Sequence, residues 1–210
     1  FPDFPERRVA VIHLGVDFDR FRVRDSEKSF AFATSLGLNP PFLLQVGSWF
    51  PHKNLELSIR AFARSAARGQ GFQLAFVGGN APPAYAASLR ELAASEGVAD
   101  SIHWLENVSS GEIPQLFSAA SALLQPSLYE GFGLPVLEAM AAGTPGVVAD
   151  ASCLPEVAGD AWPRDKVTDL CWKPAGWTPE EDEKIRRETG ARLREIHGIQ
   201  PRTDCSTCHR

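Results

Sequence analysis

The residues best placed to do chemistry form one run, Glu130-Gly131-Phe132-Gly133-Leu134-Pro135-Val136-Leu137-Glu138, joined by Lys53 earlier in the chain. Pro135 suits the first helical position, where its missing N–H is not needed. That sets Gly133 and Leu134 at a helix entrance with free N–H groups, where the helix dipole favours an anion such as phosphate. Gly131 and Gly133, with Phe132 between them, let the backbone approach a ligand closely. Glu138, about one turn into the helix, can accept hydrogen bonds from a pair of hydroxyls. Glu130, ahead of the loop, can hold further hydroxyls or stabilise positive charge growing on a bound group. Lys53 offers an ammonium to negative charge growing on a phosphate, a contact worth more in the transition state than in the ground state. Taken singly, each has a plainer account: a solvated helix glutamate, a surface lysine, two turn glycines. Their order on consecutive strand–helix units favours a site.

The surrounding pattern predicts what positions them. Phe42-Leu43-Leu44-Gln45-Val46 is a continuous apolar run of the buried parallel-strand kind. Gly47-Ser48-Trp49-Phe50-Pro51-His52-Lys53-Asn54 is the loop after it. A helix is expected from about Asn54 to Arg68, with Leu55, Ile59, Phe62, Ala63 and Ala66 on one face. Arg60, Arg64 and Arg68 form a basic stripe on another, either a solvated face or a contact for a membrane surface or acidic partner. Further strands are expected at Leu74–Val77, Ile102–Leu105, Ala122–Gln125 and Gly146–Ala149. Between them come a helix from Pro83 to Ser95 stopped by Gly97, a short helix through Ser118 capped by Ser109 and Ser110, and the motif helix from Pro135 to about Ala142. Residues 24–41 read as a loop, polar and ending in Asn39-Pro40-Pro41. This alternation means α/β architecture, a doubly wound, Rossmann-like parallel sheet. Such sheets bind ligands beyond the carboxyl ends of their strands. The loops after Val46 and after Gln125 both leave from that end.

Bulk properties narrow the classes. With 44% hydrophobic residues and a net charge of −5, the chain has a real core and no basic footprint for nucleic acid. No apolar run reaches the roughly 20 residues of a transmembrane segment, and Phe1-Pro2-Asp3-Phe4-Pro5-Glu6-Arg7-Arg8 is not a signal peptide. Cys153, Cys171, Cys205 and Cys208 are too few for a disulfide scaffold. A cytoplasmic location is expected, with peripheral contact at the inner membrane face as an extension. Asp17-Phe18-Asp19 has the spacing of a metal-binding carboxylate pair.

From Val9 to Ala161 the sequence resembles the C-terminal, donor-binding domain of the GT-B glycosyltransferases of family 4 (glycosyl transferases group 1). The matching residues are Val46-Gly47, Pro51-His52-Lys53-Asn54-Leu55, the run from Pro126 through Glu130 and Glu138 to Met140, Gly143-Thr144-Pro145, Leu154-Pro155-Glu156-Val157 and Gly159-Asp160-Ala161. The resemblance implies a retaining glycosyltransferase, moving a sugar from a nucleoside diphosphate sugar to an acceptor without metal or cofactor. The motif style points to mannosyl or glucosyl transfer in cell-surface polysaccharide synthesis, with GDP-mannose the favoured donor. It implies Glu130 and Lys53 as catalytic residues, Lys53 at the donor phosphate and Glu130 at the donor sugar. Glu138 is implied at the ribose, the Gly133 and Leu134 amides at the diphosphate, and Gly47, Ser48, Gly131 and Phe132 around the substrate. An acceptor-binding domain or chain, not recognisable in this sequence, is the implied partner. The alternative is a non-catalytic nucleotide-sugar-binding module or a truncated remnant of such an enzyme. Ser48 and His52 stand where many members carry an arginine, and Glu106 where glycine is usual. Gly15-Val16-Asp17 with Phe21 also resembles the family's interdomain linker, which needs no metal.

The expected organisation is therefore residues 1–39 as interdomain linker and start of the donor domain, 40–161 as the nucleotide-sugar donor-binding domain, and 162–210 as a divergent tail. In the tail, Thr178-Pro179-Glu180-Glu181 is a capping box opening a helix to about His197. Cys205-Ser206-Thr207-Cys208-His209 spells a haem-attachment motif, for which free thiols at a loose terminus are the plainer reading.

Overall fold

The computed structural model describes residues 14–22 and 25–161. The expected tail helix and the Cys205–His209 motif lie outside them. Strands β1 (Phe42–Ser48), β2 (Gln73–Gly79), β3 (Ile102–Leu105), β4 (Ala122–Gln125) and β5 (Gly146–Val148) form one sheet. All neighbours are parallel, in the order β3-β2-β1-β4-β5. The described strands begin with β1 at the centre, run outward through β2 and β3, then cross back to β4 and β5. Winding therefore reverses between β1 and β4, and a crevice opens beyond their carboxyl ends at such a switch point.

Side-chain alternation divides the core into two layers. Phe42, Leu44 and Val46 of β1 join Ala75 and Val77 of β2 on one face, against Leu116, Phe117 and Val136. Leu74 and Phe76 point to the other face, against Leu55, Ile59, Phe62 and Leu89. The helices around the sheet are α1 (Phe18–Phe21), α2 (Ser26–Ser35), α3 (Leu55–Arg64), α4 (Ala66–Gly69), α5 (Pro83–Ser95), α6 (Ile113–Ala119), α7 (Leu134–Ala142) and α8 (Leu154–Ala161), and α3, α5, α6 and α7 supply the core residues just named. No helix among the described residues is long and apolar enough to cross a membrane.

Several expectations change in detail. The stretch expected to be a loop before β1 contains α2, because Asp25 accepts from the Lys28 amide at 2.9 Å and Gly37 leaves the helix at φ +84°. The single helix expected from Asn54 to Arg68 breaks at Ser65. Its backbone is extended, and its amide and hydroxyl both donate to the Phe62 carbonyl. The basic stripe of that segment folds onto the end of α5. Arg60 and Arg64 approach Glu96 at 3.8 and 3.2 Å, and Arg68 donates to the Gly97 carbonyl at 2.8 Å. Cations there complement the helix's negative C-terminal end, while the Arg60 and Arg64 side chains stay largely exposed. Helix α6 begins at Ile113 rather than beside Ser109 and Ser110. Instead, Glu112 reaches back, and the Ser109 amide and hydroxyl donate to its carboxylate at 3.0 and 2.6 Å.

Strands β1 and β2 also run two residues further than their apolar cores, through Gly47-Ser48 and Gly78-Gly79. A Cβ on Gly78, at φ +148°, would lie 1.9 Å from the Gly47 carbonyl oxygen. Two glycines in register let the strand ends close up and hold β1 extended to the edge of the crevice.

Candidate functional site

The loop after β1 reaches the loop after β4 across the switch point. A 3₁₀ turn, Pro51–Lys53, follows β1, and Asn54 leaves it in the left-handed conformation, φ 54°. The Leu128 amide donates to the His52 carbonyl at 2.8 Å, and the Asn54 side-chain amide donates to the Pro126 carbonyl at 3.2 Å. Buried Gln45 fastens the turn to the sheet. Its amide donates to the Lys53 carbonyl at 2.9 Å, and its oxygen accepts from the Ser58 hydroxyl at 2.6 Å.

These ties bring Lys53 to Glu130. The ammonium meets both carboxylate oxygens, at 2.6 and 2.8 Å, with 15% of the lysine side chain and 8% of the glutamate exposed. The lysine passes over Gly47, where a Cβ would stand 3.9 Å from Nζ. Behind Glu130, the Gln125 side-chain amide donates to the same carboxylate at 2.5 Å. The Ser152 hydroxyl donates to the Glu130 carbonyl at 2.8 Å, and Cys153 Sγ lies 3.4 Å from it. Burial pushes the Glu130 carboxyl up. Hydrogen bonds from Lys53 and Ser127, the Lys53 charge and the Gln125 amide outweigh that and hold it below the ordinary glutamate value.

Helix α7 opens at Leu134, with Gly133 as its left-handed N-cap, φ 82°, so Pro135 occupies the second helical position instead of the first. The consequence for an anion is unchanged. The Gly133 and Leu134 amides donate to no described residue, and they stand where the helix dipole is positive. Leu154 of α8 packs under this turn, and a Cβ on Gly133 would come within 2.9 Å of its Cδ2. Gly133→Ala is expected to lower the unfolding free energy by about 1–2 kcal/mol, mainly backbone strain, because the leucine end can swing aside. A urea titration that matches the wild type would contradict this.

Glu138 occupies different surroundings. It is half-buried on α7, and its carboxylate accepts no hydrogen bond from a described residue. Burial raises its carboxyl above the ordinary value, and the charge of Arg20 on α1 offsets only part of that. A carboxylate poorly solvated and short of donors is suited to receive them from a ligand. Of the remaining candidates, Ser48 and Phe132 are half-buried, and Gly131 and Leu134 are exposed. His52 is exposed and stacks on Phe50, centroids 6.1 Å apart. Glu106 pairs with Arg90 at 3.5 Å, and that arginine lies 5.3 Å over the Trp104 ring. Asp17 caps α1, accepting from the Arg20 amide at 3.1 Å. Among the described residues no three or more His, Cys, Asp or Glu gather as a metal-ligand set.

Gln45, Ser58, Gln125 and Ser127 were not among the expected site residues. A signal was present. Each glutamine interrupts or ends an otherwise apolar strand, and a buried polar side chain needs a partner.

A doubly wound parallel sheet, with a cation, two glutamates and a glycine-fronted helix in the loops and helix that follow β1 and β4, is an α/β domain of the GT-B glycosyltransferase type. The chain belongs to the glycosyl transferases group 1 family, whose profile matches residues 26–164. It is 34% identical over 160 residues to a D-inositol 3-phosphate glycosyltransferase of Streptomyces avermitilis, covering 73% of this chain and 34% of the relative. It is 36% identical over 116 residues to the O-antigen chain mannosyltransferase RfbU of Salmonella typhimurium, covering 55% and 31%. The chain thus spans about a third of the length of the curated relatives it matches. Its fold matches the crystal structure of Anabaena Alr3699/HepE in complex with UDP and glucose, with a TM-score of 0.61 and 22% identity, covering 71% of this chain and 39% of that one.

Proposed function

We propose that this chain is the donor-binding half of a retaining, family 4 glycosyltransferase that uses a nucleoside diphosphate sugar. The observation that carries this is the Lys53–Glu130 contact across the switch point, beside the open amides of the α7 entrance. A diphosphate seated on the Gly133 and Leu134 amides draws the Lys53 ammonium off Glu130. Lys53 then stabilises the negative charge that grows on the distal phosphate as the glycosidic bond breaks. Glu130, released, holds the donor sugar's hydroxyls or faces the positive charge at its anomeric carbon. Glu138 accepts from the ribose hydroxyls, and no metal is needed because Lys53 and the helix dipole supply the positive charge. The acceptor is brought by a second domain or chain over the exposed Leu128, Tyr129 and Leu134. A cytoplasmic setting and a role in polysaccharide synthesis are part of the proposal, and the mannosyltransferase relative supports a mannosyl donor, taken as GDP-mannose.

Calorimetric titration of the chain with GDP, UDP and ADP tests the reading. One base is expected to be preferred, GDP first, and binding is expected to weaken in Glu138→Ala. Folded protein that binds none of the three would sink it.

A further inference from the structure

Gln125 has a task that the proposed roles do not assign. It is the last residue of β4, 1% exposed, and its backbone carbonyl accepts from the Ala149 amide at 2.9 Å. Its side-chain nitrogen has two donor hydrogens. One is directed to Glu130 at 2.5 Å and the other to the Ser127 hydroxyl at 3.1 Å. Its side-chain oxygen is buried with no partner among the described residues. Turning the amide over would set that oxygen against the Glu130 carboxylate, acceptor to acceptor, so the carboxylate fixes the amide's orientation.

The groups facing Glu130 divide into one that can leave and several that cannot. Lys53 comes from the other side of the crevice on a side chain with many rotamers. Gln125 and Ser127 are anchored in β4 and its exit, and Ser152 and Cys153 hold the Glu130 backbone carbonyl. Lys53 is the only charged group among the described residues that contacts this carboxylate. Once it turns to a phosphate, the fixed donors alone oppose protonation or rotation of a carboxyl that is otherwise buried.

We propose that Gln125 is a positioning residue that keeps the Glu130 carboxylate ionised and aimed into the crevice when Lys53 engages the donor phosphate. This rests on the donor-site reading above. It also explains why a buried amide with an unmet oxygen is tolerated in the strand: its nitrogen serves the site.

The test follows Glu130 directly. In protein carrying ¹³C-labelled glutamate, the Glu130 carboxyl signal is the one lost in Glu130→Gln. Its titration midpoint is compared between wild type and Gln125→Met, a similar volume without donors. The midpoint is expected to move up in the variant, and further up when GDP or UDP is bound and Lys53 is occupied. A residue that merely fills space would not move it. If Gln125→Met does not fold, Gln125→Asn carries the same test, because its shorter side chain withdraws the amide. A midpoint unchanged from wild type overturns the role of Gln125. That failure is distinct from failure of the donor site, which shows as absence of nucleotide binding by the wild type.

Discussion

Lys53→Ala is expected to weaken binding of the preferred nucleoside diphosphate by about 10–100-fold, the size of a lost charge-assisted hydrogen bond. Sugar transfer should fall further, by about 10²–10³-fold, because the contact strengthens as the leaving phosphate gains charge. The geometry adds a second consequence. Glu130 is 8% exposed and both its oxygens face the ammonium. Removing Lys53 leaves that charge buried with only neutral donors, which costs stability. Lys53→Ala should therefore melt at a lower temperature than wild type, and its Glu130 carboxyl should rise. The double variant Lys53→Ala/Glu130→Gln separates the two effects. Its stability should return toward wild type while nucleotide binding stays weak. Recovery of binding along with stability would mean that Lys53 serves the fold and not the phosphate.

The sheet and its order of elements were legible because continuous apolar runs such as Phe42–Val46 and Leu74–Val77 admit few other states, and glycines bracket them. The elements that escaped have weak local signals. Helix α2 has a polar sequence, and only its Asp25 cap and Gly37 exit announce it. The break at Ser65 came from one hydroxyl competing for a carbonyl, in a segment whose apolar period continues through Ala66. Among the site residues, spacing alone could place Gly133 and Leu134 at a helix entrance, because caps are local. The ion pair between Lys53 and Glu130 joins residues 77 apart in sequence, and only the strand order brings their loops together. The same strand order hides Gln45 and Gln125. In sequence they are two polar letters in apolar strands, and in space each supports one of the two charged groups.

Glu138→Gln is expected to act in opposite directions on stability and binding. The two site glutamates depart from their ordinary value of 4.5 in opposite senses, Glu130 downward and Glu138 upward. For Glu130 the folded state favours the ionised form, so its contribution to stability is present above 4.5 and is lost as pH falls through its lowered value. For Glu138 the folded state favours the protonated form, so stability is fully present below 4.5 and is lost as pH rises through its raised value. At neutral pH the wild type therefore carries an ionised, poorly solvated carboxylate with the Arg20 charge as partial relief. Glutamine removes that charge at nearly the same volume. The variant should be the more stable protein above the raised Glu138 value, and the two proteins should converge as pH falls toward 4.5. Nucleotide affinity should nevertheless fall about tenfold or more, because hydroxyl donors lose a charged acceptor. In the wild type, affinity should also decline with falling pH through the Glu138 transition, and in Glu138→Gln that part of the profile should be flat. Thermal melts and calorimetry across the same pH series read both effects. A variant that is no more stable, or that binds as the wild type does, would show that the Glu138 carboxylate is not held in reserve for a ligand. Both effects together would mean that the fold gives up stability at this position in order to present an unpaired acceptor to the ribose.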